Sequence, residues 1–332
     1  PDPPSLTVLS PLGSVPFDPT NRVQVGWAFE TTLDVEWAHA MAPDAKIVLL
    51  TSNVDESQGV QGLPEFLKLE QYALDNHLGH IISQSWGTAE DTLFNSAGRK
   101  LLSDFERFYE RAASEHVTVL ASTGDSGTAN VDVNNNPYAF PTVLFPASSP
   151  LVTAVGGTSL YADAKGKYQS ETVWNDAGGA SGGGVSQYFR EPFYQYQLTD
   201  AVQATLNHRR GVPDVAYNAD PNTAILVYAG FFPNPADSGY FLVGGTSEGS
   251  PQWAGIIADA NQLAGHHLGF LNPTLYLAGL IGEDHLFFHD ITNGNNGLNG
   301  VAGYNATRGW DFTTGWGTPN LGNLAWGLAD QR

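Results

Sequence analysis

The run Val243-Gly244-Gly245-Thr246-Ser247-Glu248-Gly249-Ser250-Pro251 reads as the end of a strand and the opening of a helix. That arrangement sets the Ser247 hydroxyl and neighbouring backbone N–H groups at a positive helix end, which suits a nucleophile beside a site for a developing oxyanion. The same turn is also an ordinary helix cap, because Ser and Thr hydroxyls are good N-cap acceptors, so the serine alone decides nothing. A serine nucleophile needs a base. The nine histidines, His39, His77, His80, His116, His208, His266, His267, His285 and His289, fall on expected helix faces or in loops, where a solvated or satisfied imidazole is the simpler reading.

Carboxylates offer the other base. In the helix-like run from Phe29 to Ala38, Glu30 and Asp34 stand at i and i+4 and share one face. Two like charges this close repel, so one carboxyl holds its proton to higher pH and the pair can share it, which makes a base usable in acid. A solvated acidic helix face would show the same spacing; the flanking Trp27, Phe29, Leu33 and Trp37 favour a partly buried setting. Asp125, in Ser122-Thr123-Gly124-Asp125-Ser126-Gly127, follows a strand. Ionised, it only accepts hydrogen bonds; protonated, it can donate one to an oxyanion, while capping the next turn is its plainer role.

Positioning such residues requires a scaffold, and the hydrophobic periodicity supplies one. Ala45–Thr51 reads as a buried strand, Leu63–Asn76 as a helix with Pro64 in its first turn, and His80–Gln84 as a strand. In Ala97–Ser114 the residues Leu101, Leu102, Phe105, Phe108, Tyr109, Ala112 and Ala113 recur at helical spacing, ahead of the strand Val117–Ser122. This βαβαβ pattern predicts a parallel sheet, whose ligands bind beyond the carboxyl ends of the strands, at Ser85-Trp86-Gly87 and at Thr123–Gly127. Further on, Val152–Val155 and Ala224–Tyr228 read as short strands and Ser247–Ala264 as one more helix, with no tandem repeat.

Composition narrows the partners. Among 332 residues, 34 Asp and Glu face 14 Lys and Arg, a net charge of −20, which disfavours nucleic acid and anionic membranes. Such a surface suits acid, where the carboxylates are neutral; halophily would also produce it. With no cysteine there is neither a disulfide framework nor a thiolate site. No apolar run approaches the ~20 residues of a membrane span. The chain opens at Pro1 without a leader and reads as processed or truncated.

In this order, Glu30-x-x-x-Asp34, Ser83-Gln84-Ser85-Trp86-Gly87, Ser122-Thr123-Gly124-Asp125-Ser126-Gly127, Ser181-Gly182-Gly183-Gly184-Val185-Ser186 and Gly244–Pro251 resemble the sedolisin family of serine-carboxyl peptidases. Phe145-Pro146-Ala147-Ser148 and Val155-Gly156-Gly157-Thr158 extend the resemblance over about Pro4 to Asn320. It implies an α/β subtilisin-like three-layer fold, a mainly parallel central sheet with helices on both faces, as one catalytic domain over 1–332 with its core at 30–264. Ser247 would be the nucleophile, Glu30 its general base, Asp34 the partner sharing the proton of Glu30, and Asp125 the oxyanion stabiliser where subtilisins carry asparagine. The expected activity is an acid-active serine endopeptidase, secreted and extracellular, monomeric, acting on protein or peptide substrates and held by a propeptide inhibitor in its precursor.

The resemblance further implies that Ser85, Trp86 and Gly87, and Ser181, Gly182 and Gly183, form two extended edges that hold the substrate backbone, glycines allowing close approach. One structural Ca2+ is expected in the loop region 285–320. Asp290 and Asp311 would supply carboxylates, and Ile291, Thr307 and Gly309 carbonyls, with Thr307 where the family usually has glycine. The family's opening strand and helix, which bring a further glutamate to the acid network, have no counterpart here. Two other readings stay open: a catalytically silent, calcium-stabilised secreted binding protein on the same fold, and a glycoside hydrolase using Glu30 and Asp34, which would leave Ser247 and Asp125 idle.

Overall fold

The computed structural model describes residues 4–55, 62–282 and 286–330; His285, and with it the start of the expected 285–320 loop region, lies outside the described residues. The chain opens with β1 (Leu6–Leu9), α1 (Arg22–Met41), β2 (Ile47–Leu50), α2 (Leu63–Asp75), β3 (Ile81–Gln84), β4 (Thr88–Ala89), α3 (Ser96–Ser114), β5 (Thr118–Ser122), β6 (Leu144–Phe145) and β7 (Thr153–Ala162). It continues through β8 (Tyr168–Val173), β9 (Gly184–Arg190), α4 (Asp200–Leu206), β10 (Arg209–Val212), β11 (Val215–Asn218), β12 (Ile225–Ala229) and β13 (Gly239–Val243). The last elements are α5 (Gly249–Ala264), α6 (Asn272–Ile281), β14 (Phe288–His289), β15 (Thr318–Pro319) and α7 (Leu321–Ala329).

The central sheet has the order β11-β7-β5-β3, every pairing parallel, with β8 antiparallel on β7. Side chains alternate along a strand, and β5 shows what this does: Val119 and Ala121 enter one core with α2 and α3, while Leu120 enters a second with α5, α6 and α7. Helices therefore cover both faces, as the βαβαβ reading requires. All the periodic residues of α3 are buried except Ala113, which stays half-buried.

β1 and β2 form a parallel pair of their own. Among the described residues no strand pairs with the outer edge of β3, where Ser83 is exposed.

Two helices set the site. α1 begins at Asn21, whose side chain caps Val23 N and Gln24 N, and ends with the Ala42 N–H bonded back to Ala38 O. α5 carries Pro251 in its first turn and stops at Gly265 in the left-handed region, φ 71°. Gly255 lets the two approach: a Cβ there would collide with Met41 and lie 3.3 Å from Ala38 O. The close crossing brings the Glu30–Asp34 helix against the segment that carries Ser247. Among the described residues no helix is long and apolar enough to cross a membrane.

Candidate active site

Ser247 lies half-buried in a 3-10 turn, Thr246–Glu248, between β13 and α5. Gly245 just before it has φ 124°, a value side chains rarely adopt, and a Cβ there would sit 2.7 Å from Asp125 Oδ2. Glycine is thus needed twice, for the turn and for the approach of the aspartate. Asp125 Oδ1 accepts from Thr246 N at 2.7 Å and Thr246 Oγ1 at 2.9 Å, and Thr246 Oγ1 in turn accepts from Gly124 N at 2.9 Å. The residue keeps an open side to solvent, yet the protein crowded around its carboxyl raises the pKa, with the Thr246 bonds opposing. One oxygen is tied down and the other is left to carry a proton.

Glu30 and Asp34 lie one turn apart on α1, both half-buried. Burial pushes the Asp34 carboxyl up to about 7, with the Ser85 hydrogen bond opposing. Ser85 Oγ lies 2.7 Å from Asp34 Oδ1 and 3.2 Å from the Ser247 carbonyl oxygen. A single hydroxyl proton serves only one of these acceptors at a time. If Asp34 holds the proton its pKa favours, Asp34 donates to Ser85 and Ser85 to Ser247, and all three groups are satisfied.

The remaining expected substrate residues divide. A Cβ on Gly87 would lie 2.9 Å from Phe145 O, while the half-buried Trp86 packs its ring on Phe66 at 4.9 Å and Phe105 at 6.1 Å. Ser181, Gly182 and Gly183 are buried and pack against segments of the same chain. Ser181 Oγ donates to Thr313 O at 2.7 Å and accepts from Gly157 N at 2.9 Å, and Gly182 N donates to Gly124 O at 2.8 Å. A Cβ on Gly182 would strike Thr123 O, and one on Gly183 would strike Phe312 O. These glycines allow close approach of other loops of the same chain, and they buttress the Asp125 loop.

Two site residues escape sequence reasoning. The Leu144 side chain lies between Gly87 and Gly124: its Cδ1 is 3.3 Å from a Cβ built on Gly87, and it would collide with one built on Gly124. It therefore packs between the Ser85 and Asp125 segments. Glu248, beside the nucleophile, is fully buried; burial first and Asp125 second push its carboxyl up to about 10, against a 3.1 Å bond from Asn218 Nδ2. Nothing local in Thr-Ser-Glu-Gly announces that burial.

In the C-terminal loops, Gly309 N donates to Asp290 Oδ2 at 2.9 Å and Thr307 N to Asp311 Oδ2 at 2.8 Å, so both carboxylates converge on residues 307–311. Asp311 Oδ1 also accepts from Thr313 Oγ1 at 2.6 Å and Thr314 N at 3.0 Å, and burial lifts the carboxyl to about 6. Among the described residues no three His, Asp or Glu side chains gather as a metal site. An ion here would draw on two carboxylates and on backbone carbonyls such as those of Ile291, Thr307 and Gly309, a hard-oxygen set whose chemistry fits calcium.

A model described as the subtilase family matches residues 25–280. Kumamolisin from Bacillus sp. (strain MN-32) is 40% identical over 274 residues, covering 80% of this chain and 44% of the relative. Sedolisin from Pseudomonas sp. (strain 101) is 35% identical over 235 residues, 68% of this chain and 37% of the relative. The solved structure of Pseudomonas sedolisin, a serine-carboxyl proteinase complexed with two molecules of pseudo-iodotyrostatin, superposes with a TM-score of 0.79 at 30% identity, over 98% of this chain and 85% of that one. The chain spans less than half the length of these two curated relatives.

Proposed function

The chain belongs to the subtilase family, in its sedolisin branch of serine-carboxyl peptidases, and on that premise we propose that it is a secreted serine endopeptidase working in acid. The observation that carries the reading is the cluster itself. Ser85 joins Asp34 to the Ser247 carbonyl, and Thr246 joins Asp125 to the same turn, so both acids are tied to the segment that carries Ser247.

In this mechanism Ser247 Oγ attacks the scissile carbonyl and passes its proton to Glu30, which shares it with Asp34. Asp125, protonated, donates a hydrogen bond to the tetrahedral oxyanion. The intermediate collapses as Glu30 protonates the leaving amine, and water releases the acyl-enzyme by the same relay. Two groups must hold protons, so the active range lies in acid as a consequence of mechanism. The chain should degrade denatured protein between about pH 3 and 5, where a carboxyl base matches its task. Absence of cleavage throughout that range would favour the silent binding protein.

Asp125 gives a sharper check. Asp125→Ala should lose about 10²–10³-fold in kcat, the usual cost of one oxyanion donor. Asp125→Asn donates at any pH, so it should keep most of the rate at pH 4 and extend activity to higher pH. A pH–rate profile for Asp125→Asn that superposes on wild type would remove the protonated-donor role.

Asp290, Asp311 and the carbonyls of Ile291, Thr307 and Gly309 would hold one Ca2+, which supplies charge neutralisation between the two carboxylates and ties distant loops together. At 100 times Kd such an ion stabilises the fold by about 2.7 kcal/mol. Excess chelator should therefore lower Tm by roughly 4 °C in a chain this long. A melting curve indifferent to chelator would argue against the site.

A further inference from the structure

The helices α6 and α7 contain no Asp, Glu, Lys, Arg or His, in a chain whose net charge is −20. Each buries one apolar stripe, Leu275 and Tyr276 on α6 and Leu324 and Leu328 on α7. Their outer faces are apolar as well. Leu277, Leu280 and Ile281 recur at i, i+3 and i+4 on α6 and are exposed, Ile281 by 66% and Leu277 by 54%, and Trp326 on α7 is 65% exposed. A surface helix is ordinarily polar on the side away from the core, so a second apolar face calls for a partner. The two faces meet at Phe287. A Cβ on Gly282 would stand 3.1 Å from that ring and one on Gly327 2.7 Å, and Ile281 and Trp326 are the residues just before these glycines. Asn323, one turn before Trp326, donates from Nδ2 to Leu286 O at 2.9 Å, which brings the exposed Leu286 to the same edge.

We infer that a second copy of this chain packs on the α6–α7 face, giving a two-fold symmetric dimer in place of the expected monomer. A two-fold contact is self-complementary, so Trp326 of each copy packs on the Leu277–Ile281 face of the other, a large aromatic anchor used twice. The size fits: Leu277, Leu280, Ile281, Leu286 and Trp326 together offer roughly 600 Å² of exposed side chain per copy, and the backbone between them brings this near the ~800 Å² per partner of a stable interface. The charge fits too, because two chains of net charge −20 meet with least repulsion where neither helix carries an ionisable side chain. A substrate is the poorer occupant. Asn272, which opens α6, donates from Nδ2 to Val152 O at 3.0 Å and accepts from Thr153 Oγ1 at 2.7 Å, so the face starts beside the beginning of β7. Asp125 follows the far end of β5, which runs parallel to β7, and the face therefore begins at the end of the sheet opposite the reactive cluster.

The test is sedimentation of the full chain carrying Ser247→Ala, which cannot digest itself, at pH 5 and 0.15 M salt, where net-charge repulsion is screened beyond about 8 Å. Over roughly 1–200 µM protein the chain should pass from one copy to two, and no further, since a two-fold contact closes. Ile281→Lys and Trp326→Lys, each added singly, should weaken the association at least tenfold, while Trp326→Phe keeps most of it. Tyr240→Lys, on the exposed outer face of the β12–β13 hairpin, should leave it unchanged. All these side chains are exposed in the single chain, so the variants should melt with the parent at the lowest concentration, which separates lost assembly from lost folding. A single copy at every concentration would overturn the assignment. So would a dimer indifferent to both Ile281→Lys and Trp326→Lys, a dimer abolished by Tyr240→Lys, or association that runs on beyond two chains.

Discussion

Ser247→Ala should reduce cleavage of denatured protein at pH 4 by about 10⁴- to 10⁶-fold, leaving only what substrate binding and the oxyanion donor achieve without a nucleophile. The loss is this large because the hydroxyl is where the bond forms, and no neighbouring group can replace it. Ser85 lies in the same cluster, but its hydroxyl is engaged with Asp34 and the Ser247 carbonyl. Glu30→Gln should fall almost as far, since an amide cannot accept the serine proton. Residues acting as one unit are strongly non-additive, so the double variant should be no worse than Ser247→Ala alone. Additive losses would mean that Glu30 acts elsewhere, and undiminished cleavage by Ser247→Ala would remove the nucleophile.

Stability should be greatest in acid and should fall by several kcal/mol between pH 5 and 7.5. Burial raises Asp34, Glu90, Glu106 and Glu171 each to about 7, Glu248 to about 10, and Glu70 well above its ordinary range. A carboxyl raised on folding holds its proton more tightly in the folded chain. Its contribution is fully present below the unfolded pKa and is lost as pH rises through the folded value. For the groups near 7 the window runs from about pH 4 to 7. Glu70 adds to the effect, because both its carboxyl oxygens are buried without a hydrogen-bond partner.

Thermal melts of the Ser247→Ala chain, which cannot digest itself, should give the highest Tm near pH 4 and a steep fall towards neutrality. Glu248→Gln, which keeps an acceptor for Asn218 and removes the ionisable group, should flatten the profile above pH 7. A Tm that rises from pH 4 to 7 would contradict the burial assigned to these acids.

Much of this was legible in the chain. The periodic apolar residues of α3 and the strand, helix, strand order before β5 foretold a parallel sheet, because helical and extended repeats depend only on nearby residues. Glu30 and Asp34 could be paired for the same reason, as the helix repeat alone puts i and i+4 on one face. The glycines at 182 and 183 turn out to be packed inside the chain. Glycine tolerates close approach equally well whether the neighbour is a substrate or the same protein, and here the neighbours are Thr123, Phe312 and Thr313, far away in sequence. Leu144 and Glu248 gave no signal, since an ordinary leucine and an ordinary glutamate acquire their roles only from what surrounds them.

The sequence by itself determined which groups could react and which of them share an element: a serine at a helix opening, an acid pair on one helix face, an aspartate past a strand. Only the tertiary structure decided their protonation and their reach. A carboxyl's pKa depends on how much water the rest of the chain removes from it, and that water is excluded by segments distant in sequence. The crossing of α1 on α5 at Gly255, the contact of Asp125 with Gly245, and the burial of Glu248 all arise from such segments.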